Sequence, residues 1–456
     1  MLIILLISFL AELTLALIIT KFDILSPSVI VSAVMTASSV LAVISNSYWQ
    51  ITIHQNTVLI LTSGVFFFII GDLCGALFFA NKSKKKDVFI SHIEIDNGVL
   101  FFVFCFGLVT VAWHLKFVMS NTGIVTSFTQ MTSSYRMDVL RGTLDNKMPG
   151  MLNRFITFNM YLAYLFTYVF VHNCITSKRF KKNLKLLIPV AVFFVDSIID
   201  AARGYLVNWV IALVVYYYLV NVRLNGWKLR NTIRSTKNIL IVFAAGAIAF
   251  TLLGTIVGRS DEYGIVYRIA QYAGGGIILF DLYLNQTPVF SKVPGEYTFT
   301  AMNKYIYRHF HIEKYDYIRF LEFRYHKGYN MGNVYTAFRP YHQDYGYIGM
   351  VILTILFALF FSVFYRSIVN NHLKSNFSFK LYLYGYMANA MFLFSFDDKF
   401  FSTYAAPSFI TNIIIMFCLS MLVLNIRIKN FKIRFSSNRN KIRFDRRLIK
   451  DIIKRT

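Results

Sequence analysis

The residues best suited to chemistry in this chain are arginines. Arg136, Arg141, Arg203, Arg259 and Arg339 each lie in or beside a polar stretch bounded by long apolar runs. A guanidinium is planar, permanently charged and able to donate two parallel hydrogen bonds, which suits it to phosphate oxygens. Arg203 is the most telling. In Ile199-Asp200-Ala201-Ala202-Arg203-Gly204 it joins two apolar runs with almost no loop. At that depth a cation costs a few kcal/mol unless an anion meets it. Two arrangements satisfy the constraint: Asp200 pairs with Arg203 locally, or Arg203 converges with Arg136, Arg259 or Arg339 on a doubly charged ligand.

A general base is harder to assign. His342 and Asp344 flank Gln343 close to Arg339 at the start of a late apolar run. Either could take a proton from an attacking hydroxyl, while Asp344 could equally cap the helix that follows. Tyr335 and Arg141 complete the candidate binding residues. The stretch 259–343 also carries Tyr297, Tyr305, Tyr307, Tyr315, Tyr317, Tyr325, Tyr329 and Tyr341. Rings mixed with Asn, Gln, His and Arg suit a sugar surface, and they also suit the core of a small aromatic cap. Cys74, Cys105, Cys174 and Cys418 fall inside apolar runs without metal-ligand spacing, no Asp-x-Asp or Glu-x-Asp occurs on the outer loops, and Asp397-Asp398, followed by Lys399, reads as a paired surface cluster. No metal and no cofactor are expected.

What must position these groups is a membrane bundle. The chain has 456 residues, of which 56% are hydrophobic, and its mean hydropathy is +0.53. Apolar runs of spanning length recur almost throughout. They predict about eleven helices, near 2–20, 28–45, 58–79, 98–119, 152–174, 185–200, 204–220, 239–257, 344–365, 381–396 and 407–425. Residues 264–284 are a twelfth candidate, but Arg268, Gln271, Asp281 and Gly274-Gly275-Gly276 point to a re-entrant or surface-lying helix broken at the glycines. The apolar runs show no alternation of the kind a barrel requires. The first run follows Met1 directly and reads as a retained helix.

The net charge of +25 is distributed unevenly. With alternating helices, about 30 of the 47 basic residues fall on one side, the positive-inside bias. That bias places the C-terminus in the cytoplasm. It divides the chain into 1–258 (eight helices, with an outer loop near 120–151), a large outer loop 259–343, 344–425 (three helices) and a basic tail 426–456. The tail reads as topology and contact with anionic lipid, not as a nucleic-acid site.

Three short segments carry a resemblance to a known family: Lys21-Phe22-Asp23-Ile24-Leu25-Ser26-Pro27-Ser28 after a bare first helix, the Ala202-Arg203-Gly204 corner, and Asn333-Val334-Tyr335-Thr336 followed by Asp344-Tyr345-Gly346. With the helix count and one dominant outer loop, the chain resembles the Wzy-type O-antigen (oligosaccharide repeat unit) polymerases of bacterial inner membranes. The resemblance implies an all-α polytopic fold similar to the C-type glycosyltransferases, with the large loop periplasmic. It also implies glycosyl transfer between undecaprenyl-pyrophosphate-linked oligosaccharides, without metal, in contact with membrane lipid and a chain-length regulator protein. In that scheme Arg136, Arg203 and Arg259 hold pyrophosphate, Arg339 holds pyrophosphate or sugar, and His342 or Asp344 acts as base. An O-antigen ligase and a lipid-linked oligosaccharide flippase are the competing expectations. A flippase should place its cations inside the bundle, along a translocation cavity.

Overall fold

A computed structural model describes residues 1–79, 82–84, 91–122, 127–141, 148–177, 179–256, 264–285, 291, 293–315, 321–327, 329–372, 376–424, 426–429 and 432–435. The fold is mostly α-helical. In chain order the helices are α1 (Leu2–Ile19), α2 (Pro27–Trp49), α3 (Gln55–Leu77), α4 (Asn97–Thr122), α5 (Phe128–Arg141), α6 (Gly150–Ser177), α7 (Phe180–Asn183), α8 (Ile188–Ile199), α9 (Gly204–Asn225), α10 (Leu229–Ile256), α11 (Gly264–Leu284), α12 (Thr300–Phe310), α13 (Phe338–Val369), α14 (Phe379–Met387), α15 (Asn389–Phe392) and α16 (Pro407–Val423). Two small antiparallel hairpins accompany them, β1 (Arg324–His326) with β2 (Tyr329–Gly332), and β3 (Ile426–Lys429) with β4 (Lys432–Phe435).

Among the described residues, α1, α2, α3, α4, α6, α9, α10 and α13 are long and apolar enough to cross a membrane. The protein is therefore a multi-pass membrane protein. Three expected spans are shorter. The run near 185–200 gives the 12-residue α8. The run near 381–396 breaks into α14 and the four-residue α15. The last expected span gives the 17-residue α16. Apolar composition alone does not separate a spanning helix from a short helix buried among others.

Two buried polar systems fix the ends of the bundle. At one end, Asp23 accepts hydrogen bonds from Tyr218 (2.8 Å) and Tyr365 (2.8 Å) and pairs with Lys84 (2.7 Å). Beside it Asp72, 2% exposed, accepts from Ser26, Ser28 and Ser362 and pairs with Arg366 at 2.6 Å. Arg223 closes the cluster by donating to the carbonyls of Ile368 and Asn371. This is the end where the basic segments gather. At the opposite end lie residues 50–54, the α8–α9 corner, the hairpin β1–β2 and residues 393–406. Here the amide of Ala337 donates to the carbonyl of Phe394 (2.9 Å), and Thr300 donates to the carbonyl of Ser402 (3.1 Å).

α11 packs against α2, and its middle, Ile277 to Phe280, is fully buried. Near its start, Tyr267 packs edge-on against Tyr48 and Trp49. Near its close, Asp281 accepts from Thr57 (2.6 Å) and from the amide of His54 (2.9 Å). Both ends thus return to the turn between α2 and α3. The helix does not break at Gly274-Gly275-Gly276. These glycines serve close approach. A Cβ on Gly274 would lie 2.8 Å from the amide nitrogen of Ala42, and one on Gly276 would lie 2.4 Å from the carbonyl oxygen of Ser395. Small residues let backbones meet where a side chain would hold them apart. Much of the expected large loop is accordingly structured, since α11, α12 and the first hairpin all lie within it.

Candidate functional site

The first turn of α13 delivers Arg339 into the interior of the second end, where it is fully buried. Its Nη2 donates to both carboxylate oxygens of Glu322, at 2.7 and 2.6 Å, and its Nε donates to Gln343 at 3.3 Å. The guanidinium carbon lies 3.7 Å from the ring centre of Tyr335 and 5.0 Å from that of Tyr283. Positions 339, 342 and 343 share one helical face, so His342 joins the group. Its Nδ1 is 3.2 Å from the Tyr283 hydroxyl.

Arg324, on the hairpin strand above, donates to the same Glu322 (2.8 Å), to Tyr335 (2.9 Å) and to the carbonyl of Leu282 (2.9 Å). Burial pushes the carboxyl of Glu322 up, but its bonds to Arg339 and Arg324 outweigh that and hold it below its ordinary range. Two guanidiniums therefore share one half-exposed carboxylate. The buried Nη1 of Arg339 meets no acceptor among the described residues. The pair of guanidiniums is only partly compensated by Glu322, is walled by aromatic rings, and has a hydrogen-bond donor to spare. Such a site favours an anion or a dense set of sugar hydroxyls.

Asp344 occupies a different role in the fold from a cap on its own helix. It accepts from Ser291, from the amide of Tyr297 (3.1 Å) and from that of Thr298 (2.7 Å), and so braces residues 291–298 against α13. Two residues later Gly346, with φ +64°, interrupts the helical geometry. The kink turns this first segment over the end of the bundle.

The α8–α9 corner holds Arg203, also buried. Ala201 takes a left-handed φ of +49° to close the turn. The guanidinium of Arg203 stacks 4.5 Å from the Phe250 ring centre and donates to the Tyr272 hydroxyl at 3.3 Å, while Tyr272 stacks in turn on Phe396. Arg203 and Ser197 line a largely apolar cavity of about 230 Å³ together with Phe194, Ile198, Ala202, Leu206, Ala249 and Leu253.

Asp200 belongs to a separate chain of contacts. Its Oδ1 is 3.2 Å from Nε2 of His114. Nδ1 of that imidazole is 3.2 Å from Asp196, and Asn159 donates to the other oxygen of Asp196 at 2.9 Å. α5 packs over this cluster. Burial, followed by the charge of Asp200, pushes the Tyr135 hydroxyl up to about 12, and the charge of the neighbouring Arg136 is felt there too.

Arg203 and Arg339 do not meet. Each touches α11, at Tyr272 and Tyr283 respectively. Eleven residues at 1.5 Å each set these tyrosines roughly 16 Å apart along the helix. Arg136 stands by the Arg203 corner, while Tyr335, Arg339 and His342 form the second centre and Asp344 braces the loop beside it. Arg141 lies at the end of α5, its side chain outside the described residues, and Arg259 lies outside them altogether.

Sequence reasoning missed Glu322, Arg324, Tyr283, His114 and Asp196. A signal existed for some of them. Glu322 and Arg324 are two apart, and Asp196 and Asp200 four apart, the spacings of one strand face and one helix face. Asp196 and His114 are also ionisable residues inside apolar runs, which seldom occur without a task. Among the described residues no group of three or more His, Cys, Asp or Glu is placed to hold a metal ion. Comparison with protein-family models, with curated proteins and with solved structures gives no match to this chain.

Proposed function

We propose that this protein is a membrane glycosyltransferase that polymerises lipid-linked oligosaccharide repeat units, joining undecaprenyl-pyrophosphate-linked oligosaccharides at the outer face of a bacterial inner membrane. The observation that carries the reading is Arg203: a buried guanidinium lining an otherwise apolar cavity, at the end of the bundle where the large polar segment folds. A donor with an isoprenoid chain and a diphosphate head matches both halves of that site. The chain enters the cavity, and the guanidinium meets the diphosphate where negative charge builds as the glycosidic bond to the lipid breaks. Electrostatic stabilisation of that kind is commonly the largest single contribution to such catalysis.

The roughly 16 Å between the two arginine-bearing points, set by the rise of α11, supports giving them different parts of the substrates. Arg203 with Arg136 takes the diphosphate. The Arg339–Glu322–Arg324 centre, with Tyr283, Tyr335 and His342, takes sugar rings of the repeat unit and orients them, which is what bound geometry contributes to a two-substrate reaction.

The test is the surface-glycan ladder of cells carrying Arg203 variants. Arg203→Ala should leave the protein in the membrane at normal level and reduce the ladder to a single repeat unit. Arg203→Lys should rescue poorly, because a point charge lacks the fork. A full-length ladder from Arg203→Ala sinks the diphosphate assignment. Loss of every capped species, with long chains retained on the lipid, would make the protein a ligase. Repeat units held at the cytoplasmic face would make it a flippase.

A further inference from the structure

The Arg203 corner also carries a side-chain chain with no part in the diphosphate assignment. His114 is fully buried and stands between two carboxylates that α8 presents one helical turn apart. Asp196 is 1% exposed and fixed by Asn159, whereas Asp200 has one fifth of its side chain exposed. Only the last member of the chain therefore reaches the site. Its Oδ1 faces His114, which leaves Oδ2 for an incoming group. Asp200 and Arg203 are three residues apart, so their Cα atoms lie within about 10 Å of one another. A base and a leaving-group anchor that close can stand on either side of one sugar ring. Asp344, whose oxygens already accept from Ser291, Tyr297 and Thr298, is less free for such work.

We infer that Asp200 is the general base of the transfer, and that His114 and Asp196 are positioning residues that hold it. This rests on the glycosyltransferase reading above. In the step, the acceptor hydroxyl oxygen bonds to the anomeric carbon of the donor sugar, and its proton passes to Oδ2 of Asp200. The bond from that carbon to the lipid diphosphate breaks, and its electron pair leaves on the diphosphate. The proton on Asp200 returns to water once product has gone. The His114 ring, whose Nε2 stands 3.2 Å from Oδ1, keeps the carboxylate aimed, and Asp196 fixes the ring through its other nitrogen, as a carboxylate does in hydrolytic triads.

The experiment uses the purified full-length protein and the lipid-linked oligosaccharide fraction extracted from cells lacking its gene. Chain lengthening is measured with and without azide, a nucleophile that has no proton to lose. Asp200→Ala and Asp200→Asn should lengthen chains at least a hundredfold more slowly, in the range expected for a lost general base. Both should still form the glycosyl azide with release of lipid diphosphate. His114→Asn should show a smaller loss of kcat with acceptor KM unchanged, and azide transfer should survive. A merely structural role for His114 would depress both reactions together.

Lengthening by Asp200→Asn within tenfold of the wild type overturns the base and leaves the glycosyltransferase standing. Loss of both products in Asp200→Ala and Asp200→Asn also overturns the base, since the residue then serves folding or donor binding. If the wild-type protein lengthens nothing, the glycosyltransferase reading falls and the base falls with it.

Discussion

Adjacent glycines in α11 should respond to the same substitution with opposite sign. A methyl on Gly275 would find its nearest neighbour, the carbonyl oxygen of Met331, at 3.6 Å. That is ordinary contact, so Gly275→Ala should gain the helix propensity that glycine forfeits, about 0.8–1 kcal/mol. A methyl on Gly276 would lie 2.4 Å from the carbonyl oxygen of Ser395, about 1 Å short of comfortable separation. The obstacle is backbone, which cannot rotate away as a side chain could. Overpacking of this kind costs about 1–3 kcal/mol, and the same propensity gain offsets part of it. The two variants should therefore differ by roughly 2 kcal/mol, with Gly276→Ala the weaker. Unfolding entropies of about 2.1 cal/mol/K per residue scale, over 456 residues, to about 1 °C per kcal/mol if the chain melts as one unit. Thermal melting of the purified protein in one detergent should thus place Gly275→Ala slightly above the wild type and Gly276→Ala below it. Gly276→Ala should also lose lengthening activity, because residues 395 and 396 carry the ring on which Tyr272 stacks beside Arg203. Equal melting of the two variants would refute the argument that the glycines exist for close approach.

Further outcomes follow from the two polar systems. Asp72→Asn should destabilise the protein by about 3–5 kcal/mol, because it leaves the Arg366 charge uncompensated in the interior. Adding Arg366→Met should recover part of that loss, whereas additive effects in melting would show that the pair is not coupled. Glu322→Gln should alter the acid side of the stability profile. The depressed carboxyl contributes stability that is complete above its ordinary value of 4.5 and is lost as pH falls through its lower folded value. The wild type should accordingly lose more stability than Glu322→Gln on acidification below pH 4.5. Parallel melting curves across that window would contradict the pairing with Arg339 and Arg324.

The sequence carried the architecture further than the site. α1, α2, α3 and α13 could be read directly, because a long apolar run in a bilayer has few conformations open to it. α8, α14 and α15 were read as full spans, since burial among other helices produces the same composition in a shorter element. Arg268, Gln271 and Asp281 pointed to a surface-lying helix, whereas the middle of α11, from Ile277 to Phe280, is fully buried. The purpose of its glycines was not legible, because nothing local says which backbone will arrive beside them. The same limit applies to the side-chain roles. Asp344 reads as a cap or a base from its neighbours, yet its hydrogen-bond partners lie at residues 291–298. Asp200 reads as the partner of Arg203 three residues on, yet its oxygen faces His114 on another helix. Arg203 and Arg339 were legible as functional candidates because each stands against the charge bias of its side. Their separation along α11 depends on a fold that spacing does not encode.

Whether repeat units are joined by transfer from a lipid diphosphate can be read from reconstitution. Purified protein in lipid nanodiscs is given the lipid-linked oligosaccharide fraction from cells lacking the gene, and both products are followed. A polymerase should give a ladder rising by one repeat unit per step, with one lipid diphosphate released for each linkage formed. A substrate that stays at a single repeat unit, with no lipid diphosphate released while protein from the same preparation restores the ladder in cells, would contradict that reading.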